Sequence, residues 1–493
     1  MVAKLNRLAS ACAETPETHR AIALLSSGGD ERIVLDPDTA LNRYMSAPYP
    51  RDVLAFASST ANDISADAFA HVLEVMAEAP ASPRDRFESL RGRIRAAYAL
   101  DDSVEIVFAA SGTDLEYVPL ACAMARRAGG LHNILLGADE VGRGCVHSAK
   151  GHFFAGQTAL GHATAPGREI EGFPSVSLAD IAVRKADGDA LSSAEIADLA
   201  AAEIAVATAG DCHPVLHIVH GSKTGLILPE LEDLDRLLAQ CDEPPTLVVD
   251  ACQARITTEA VHDYLAREAI VLVTGSKFMG GPTFSGFALV PGGLMKRAPD
   301  LPRGLAAVSH RAEWPCDWPG AQVLSEGTNE GLLLRLAASI YELERFQALP
   351  IGEIEAVVDA FQRAVRETLV EPCGFAVVAP FPKASSHAAR EHPIEMQTLI
   401  TLDIGSVAGS STFDGSVDLH RRLALRGVRL GQPVKCVRHP QGGWGGTLRI
   451  GLSMPQVVRW AALEPQERAA RIGADLRQIA EAIASEEHAA THA

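Results

Sequence analysis

Short runs of β-branched and aliphatic residues alternate with helix-length stretches through the middle of the chain. This alternation restricts the fold more than any other feature. VEIVFA (Val104–Ala109) precedes a helical stretch at 115–127 and the run HNILL at 132–136. VLHIV (215–219), TLVV (246–249) and IVLV (270–273) come next, with helical stretches at 231–240, opened by Pro229, and at 257–267. Strands joined through helices need right-handed crossovers, which build a parallel sheet covered on both faces. FSGFALV (284–290) reads as a further strand, antiparallel to the rest.

Beyond about residue 330 the pattern changes. Helical stretches at 331–346 and 354–370 lead into strand-like 375–378 and 397–403, a helix at 416–426, a strand at 447–452 and a helix at 466–484. The expected organisation is an N-terminal segment (1–60) packing on the small domain and the substrate entrance, and a large α/β domain (61–335). A smaller α+β C-terminal domain (336–485) and a frayed tail (486–493) follow. Loops are expected at 81–86 (ASPRDR) and 291–302.

Composition removes several classes of function. With 44 basic and 62 acidic residues the net charge is −18, which opposes nucleic-acid and anionic-membrane partners. No apolar run is long enough for a transmembrane helix, and residues 1–30 lack the hydrophobic core of a signal peptide. The 9 cysteines form no CxxC pair and fit a reducing cytoplasm.

Three motifs fall at strand ends, where open α/β sheets bind ligands. Ala110-Ser111-Gly112-Thr113-Asp114 joins a strand to a helix, and its small residues and hydroxyls suit an anion. Alone it reads as a plain N-cap turn. Asp250-Ala251-Cys252-Gln253 places a carboxylate at the tip of a buried strand, where it needs a cation unless it caps the next helix. Thr274-Gly275-Ser276-Lys277 sets a lysine among small and hydroxyl residues one βα unit later, and Gly280-Gly281-Pro282 makes a rigid close-approach loop. Most loop lysines are solvated; these flanks suit a desolvated, nucleophilic amine.

Order, spacing and strand context together resemble the fold-type I pyridoxal phosphate (PLP) enzymes, specifically the class V aminotransferase and cysteine desulfurase group. The resemblance spans roughly 105–330, with a weaker match to about 455. It implies a fold-type I PLP transferase: a large domain with a mostly parallel seven-stranded sheet between helices, and a smaller α+β domain. Lys277 matches the Schiff-base lysine, and Asp250 the partner of the pyridinium nitrogen, which keeps the ring an electron sink. Gln253 matches the residue near the phenolic oxygen. Ser111, Gly112 and Thr113 match the phosphate turn, and Thr274 and Ser276 the phosphate donors. Thr328, in Glu326-Gly327-Thr328-Asn329, matches a residue reaching the neighbouring subunit's phosphate, so a homodimer with shared active sites is implied. An N-cap role for Thr328 stands level with this reading. Arg449, in LRIGL, matches the substrate-carboxylate arginine, whose fork would grip an α-amino acid; otherwise it is an arginine on the face of an edge strand.

The sequence departs from the family at two places. No aromatic residue or histidine adjoins Glu140, which leaves His147, His152 or Val141 to cover the ring. In VLHIVHGSKTG, Ser222 stands near a position where relatives carry Asn, and is the candidate contact to the ring oxygen.

The leading reading of activity is a PLP-dependent aminotransferase working on amino acid and keto acid substrates, with Lys277 moving the proton. The alternative is a cysteine desulfurase or C–S lyase using Cys436, flanked by Lys435 and Arg438, although the approach to Cys436 lacks the patterns of known branches. A non-catalytic member ranks last, because Lys277, Asp250 and Arg449 are all kept. Cys212, His213, His217 and His220 read as core or site-lining residues, and no metal is expected. YMSAPYPR (44–51) is open between an entrance segment and a packing loop, and GGWGG (442–446) between a lid and a hairpin.

Overall fold

The computed structural model describes residues 15–491 apart from 80, 139, 142–144, 383–394 and 396. The strands are β1 (Leu54–Phe56), β2 (Val104–Ala109), β3 (Leu131–Leu136), β4 (Val176–Ile181), β5 (His213–His220), β6 (Ile227–Leu228) and β7 (Thr246–Ala251). After them come β8 (Ile270–Thr274), β9 (Gly286–Pro291), β10 (Ala376–Val378), β11 (Leu399–Asp403), β12 (Val428–Leu430) and β13 (Thr447–Gly451). The main sheet has the order β2-β9-β8-β7-β5-β3-β4, with β6 paired to β5 beside that path. From β8 to β4 every neighbouring pair is parallel, while β9 runs antiparallel to both β8 and β2. The mostly parallel sheet of the expectation is therefore present; the two-residue β6 makes it eight-stranded rather than seven-stranded. Every residue of β3, β5 and β8 is buried, as a sheet covered on both faces requires.

A second sheet, β10-β11-β13, is antiparallel and belongs to the C-terminal part. The N-terminal segment joins it through β1, which pairs in parallel with β12. Phe56 of β1 stacks on Phe361 with ring centres 6.1 Å apart and packs at a tilt against Trp460 at 5.9 Å. Truncating an aromatic residue in such a cluster costs about 3–5 kcal/mol. Helix Glu330–Gln347 runs from the main sheet into the C-terminal part, with Leu332, Leu334 and Leu336 fully buried. Arg335 inside it is also sealed from water. It donates to the carbonyls of Phe284 (2.7 Å), Gly28 (2.8 Å), Leu25 and Ser27, tying the N-terminal segment to the loop after Lys277.

Several expectations are corrected. Helix Pro83–Ala97 starts inside the expected loop at 81–86: Ser82 Oγ accepts from Asp85 N at 3.1 Å and Pro83 begins the helix. Helix Gly292–Arg297 occupies the expected loop at 291–302. The single helix at 115–127 is two, Gly112–Leu115 and Tyr117–Ala123. The tail at 486–493 is not frayed at its start, because helix Pro465–Thr491 runs on to 491. Glu486, 2% exposed, accepts from Arg422 at 2.6 Å and pairs with Arg426 at 2.8 Å. Strand β4 and helix Ala66–Ala77 had no counterpart in the reading. β4 is a half-exposed edge strand, so its sequence carries no continuous apolar run.

Candidate functional site

Parallel pairing puts the three motifs at one end of the sheet. In the ladder Asp250 stands opposite Val219 on β5 and Leu272 on β8, so the lysine loop after β8 emerges beside it. Asp250 Oδ1 accepts from Cys252 N at 2.9 Å, forming an Asx turn. It does not cap the next helix: that helix, Thr258–Ala266, is capped by Thr257. Among the described residues Asp250 has no ion-pair partner, although only the tip of the strand is open. The thiol of Cys252 connects the motifs. Burial and Asp250 raise it well above its ordinary value while Lys277 opposes them. A Cβ on Gly112 would stand 2.9 Å from Cys252 Sγ and 3.2 Å from Thr274 Cγ2. Only glycine lets the phosphate-type turn lie this close to both other motifs.

The Lys277 loop is braced from below. Phe278 and Met279 are fully buried, and Phe278 packs edge-on against Phe346 with ring centres 5.5 Å apart. Gly281 sits against Ser339 of helix Glu330–Gln347 where a side chain has no room. Asn62 Nδ2 donates to the carbonyls of Lys277 (2.6 Å) and Ser276 (3.1 Å). The Lys277 amine itself has no hydrogen bond or ion pair to the described residues, and it is half-buried.

Other expected groups are tied into the protein. Ser111 caps helix Gly112–Leu115, its Oγ accepting from Asp114 N (3.2 Å) and donating to Asp114 Oδ2 (2.5 Å). Thr113 is buried, and Thr274 Oγ1 donates to Cys252 O at 2.5 Å. Gln253 is buried, with Nε2 on Ser59 O (3.2 Å) and Oε1 accepting from Arg255 (2.8 Å). The Ser222 hydroxyl is spent: it donates to Glu140 Oε2 at 2.8 Å and accepts from the amides of Thr224 and Leu226. It builds a turn with Glu140 and Arg184, whose Nε reaches Glu140 Oε1 at 2.7 Å, so the hydroxyl proton expected to reach a ring oxygen is committed to Glu140 in this structure. The N-cap alternative for Thr328 is also removed. Asn329 caps the helix, its Oδ1 accepting from Leu332 N at 2.9 Å.

Arg449 is not on an exposed strand face. It is 2% exposed, and burial lowers its pKa to about 10. Nε donates to Gln432 O (2.6 Å), Nη1 to Lys223 O (3.0 Å) and Ser59 O (3.3 Å), and Nη2 to Thr60 Oγ1 (3.1 Å). A guanidinium has five N–H donors, so one on Nη2 remains. The open fork expected for a carboxylate is therefore reduced to a single donor unless Thr60 lets go. Lys223, whose carbonyl Arg449 holds, brings a second amine: burial first, then Arg449, lower its pKa to about 8, with Lys277 adding to the effect.

Of the candidates to cover a ring, Val141, His147 and His152 are half-buried, and Asp139 and 142–144 lie outside the described residues. The member of this stretch nearest the site in its electrostatics is Cys145. Burial and the carboxylates of Glu116 and Asp250 raise its thiol, while Lys223 opposes them. Cys436 is 4% exposed and burial pushes its thiol up to about 12. The histidines of β5 go to separate partners: His213 to Thr246 (2.9 Å), His217 toward Glu116 (3.5 Å) and His220 to Tyr264 (3.0 Å). Among the described residues no group of His, Cys, Asp and Glu is placed to hold a metal. Tyr49 is buried and Arg51 pairs with Asp63 at 3.0 Å, which makes 44–51 a packing segment. Trp444 stacks under Arg438 at 3.7 Å within a hairpin. No helix of the described residues is long and apolar enough to cross a membrane.

Asn62, Cys145, Glu116 and Lys223 were not singled out from sequence. Asn62 lies far from the lysine loop in sequence, and no local pattern marks it. The departure of GSKTG from the family pattern was the available signal for Lys223.

No family model and no curated protein matches the chain. Solved structures match it along most of its length. One is a cysteine desulfurase from Thermococcus onnurineus NA1 in its apo form, with TM-score 0.52 and 16% identity, covering 87% of this chain and 95% of the other. Another is the ureidoglycine-glyoxylate aminotransferase of Bacillus subtilis, with TM-score 0.52, 12% identity and coverages of 87% and 93%. A third is a mutant of C-DES with glycine covalently linked to the PLP cofactor, with TM-score 0.53, 13% identity and coverages of 86% and 96%. At these identities the likeness is one of fold, and the fold is that of fold-type I PLP enzymes.

Proposed function

We propose that the chain is a PLP-dependent aminotransferase acting on an α-amino acid or a close analogue. The observation that carries this reading is the state of Asp250: a carboxylate at the tip of a buried strand, without an ion-pair partner among the described residues, beside an equally unpaired Lys277. Such a carboxylate is costly unless a cation meets it, and a protonated pyridine nitrogen supplies one. The cradle at Gly112, closed to any larger residue by Cys252 and Thr274, fits the phosphate end of the same group. When bound, PLP supplies an aldehyde for amine exchange and an electron sink for the pair left at a substrate Cα.

The protein's own residues then divide the work. Lys277 would hold the cofactor, and its amine, unpaired among the described residues, would take and return the substrate Cα proton. Asn62 and the plug formed by Phe278 and Met279 keep that amine in place. Arg449 offers its remaining N–H to the substrate carboxylate. Thr328, released from capping, faces a partner subunit in the proposed homodimer.

The buried Cys436 supports transamination over desulfuration. A cysteine that attacks sulfur must be exposed and readily ionised, and this one is neither. Retention of Lys277, Asp250 and Arg449 speaks against a non-catalytic role.

The test is a single-turnover spectrum of the PLP-loaded chain mixed with a panel of amino acids, cysteine and alanine included, without keto acid. A stable pyridoxamine spectrum with stoichiometric keto acid is expected and names the donor. Return of the starting band with continued release of pyruvate, alanine, sulfide or carbon dioxide would replace this reading by a lyase or desulfurase.

A further inference from the structure

Glu116 stands where helix Gly112–Leu115 meets helix Tyr117–Ala123, directly behind the Gly112 turn. Its side chain is 5% exposed, and Oε2 faces Nε2 of His217, itself 3% exposed, at 3.5 Å. Neither atom makes a hydrogen bond to the described residues. His217 stands opposite Val248 and Val219 opposite Asp250, so alternation puts His217 and Asp250 on one face of the sheet, where Glu116 covers them. The titratable groups around Glu116 are His217, Asp250, the thiols of Cys145 and Cys252, and Tyr117. No lysine or arginine among the described residues acts on it.

Glu116 is buried beside a second carboxylate, and both burial and a like charge disfavour its ionised form. Asp250 is the more open of the two and Glu116 the more deeply buried. Burial, then the charge of Asp250, raises the Glu116 pKa well above the ordinary value. Burial lowers that of His217 to about 4, against the pull of Asp250. The contact has the distance of an ion pair, but both shifts run opposite to those an ion pair produces. Both partners are therefore uncharged. At 3.5 Å the pair is slightly open, and closing it by about half an ångström makes an ordinary hydrogen bond.

We propose that Glu116 is a positioning residue: an uncharged carboxylic acid that shares its proton with Nε2 of neutral His217 on the wall of the site behind Asp250. The functional value of that pair rests on the cofactor reading above. The protonation state of Glu116 does not, and it is measurable on the full chain with or without added PLP.

The experiment compares thermal unfolding of the wild-type chain and Glu116→Gln from about pH 5 to about pH 8. A carboxyl whose folded pKa lies above its unfolded value of about 4.3 makes the fold lose stability as pH rises through that window. Glutamine keeps the donor and removes the titration. The melting temperature of E116Q relative to wild type should therefore climb with pH. A relative melting temperature that stays flat or falls with pH overturns the proposal. Should E116Q not fold, Glu116→Leu gives the same slope without the donor. Infrared spectra at neutral pH supply an independent check. The carbonyl stretch of a protonated carboxylic acid should lose intensity in the variant, and an unchanged band overturns the proposal. Loss of PLP binding in the wild type would leave these outcomes intact, so failure of the cofactor reading and failure of this one are distinguishable.

Discussion

Asn62 Nδ2 donates to the backbone carbonyl of Lys277 at 2.6 Å, a bond between the start of the chain and the lysine loop. The same amide group reaches Ser276 O at 3.1 Å, so one side chain fixes two successive peptide groups. Asn62→Ala leaves both carbonyls without this donor. The chain should still fold, with kcat reduced about 10- to 100-fold, the scale on which misplacing a catalytic group acts. Single-turnover and steady-state rates of the loaded variant check this; unchanged rates would show that the loop holds itself.

Gly112→Ala should cost cofactor affinity through crowding against Cys252. A Cβ at 2.9 Å from Sγ must displace something, and overpacking of this kind costs about 1–3 kcal/mol. Pairing G112A with Cys252→Ala should restore part of the loss. Equilibrium dialysis with PLP across the double-mutant cycle reads the coupling, and simple additivity would show that the two residues do not share the strain.

Asp250→Asn keeps an oxygen to accept from Cys252 N, so the turn should survive and the melting temperature of the cofactor-free chain should change little. The charge is lost, and with it the proposed partner of a ring cation. We expect PLP binding and turnover to fall by at least about 10-fold. Equal binding by D250N and wild type would remove Asp250 from the cofactor site.

Cys436→Ala should leave turnover within about 2-fold and should form no less sulfide from cysteine than wild type, because a thiol at about 12 stays protonated. A large loss of cysteine-dependent sulfide release in C436A would instead establish the desulfurase reading.

Asp114, fully enclosed beside the Ser111 turn, has its pKa raised to about 6, mainly by burial and against the hydrogen bond from Ser111. Its unfolded value lies near 3.9. A raised carboxyl destabilises the fold as pH climbs between these values, and above about pH 6 the loss is complete. Asp114→Asn should therefore gain on wild type between about pH 4 and about pH 6, by on the order of 3 kcal/mol, and hold a constant difference above. Urea titrations at a series of pH values measure it.

The strand tips were legible because β-branched runs such as IVLV and TLVV announce buried parallel strands, and the residues just after them had to lie at one end of the sheet. Asp250, Lys277 and Gly112 were found this way, and the structure brings them together around Cys252. β4 escaped because an edge strand is half in water and has no apolar run to show. The helix at 83–97 escaped because its polar face is broad and its start looked like a Pro-rich turn.

Sequence alone determined the class of fold and the three motifs that meet at the sheet end, because period, spacing and turn chemistry are local properties that survive in one dimension. Tertiary structure decided how each side chain spends its hydrogen bonds. Ser222 and Gln253 are drawn to Glu140 and Arg255, Arg449 is left with one donor, and Cys436 is shut away from water. Those outcomes depend on partners distant in sequence and on how much water the packed chain excludes. Pairing across such distances and burial inside a dense interior leave no local periodicity for a sequence to display.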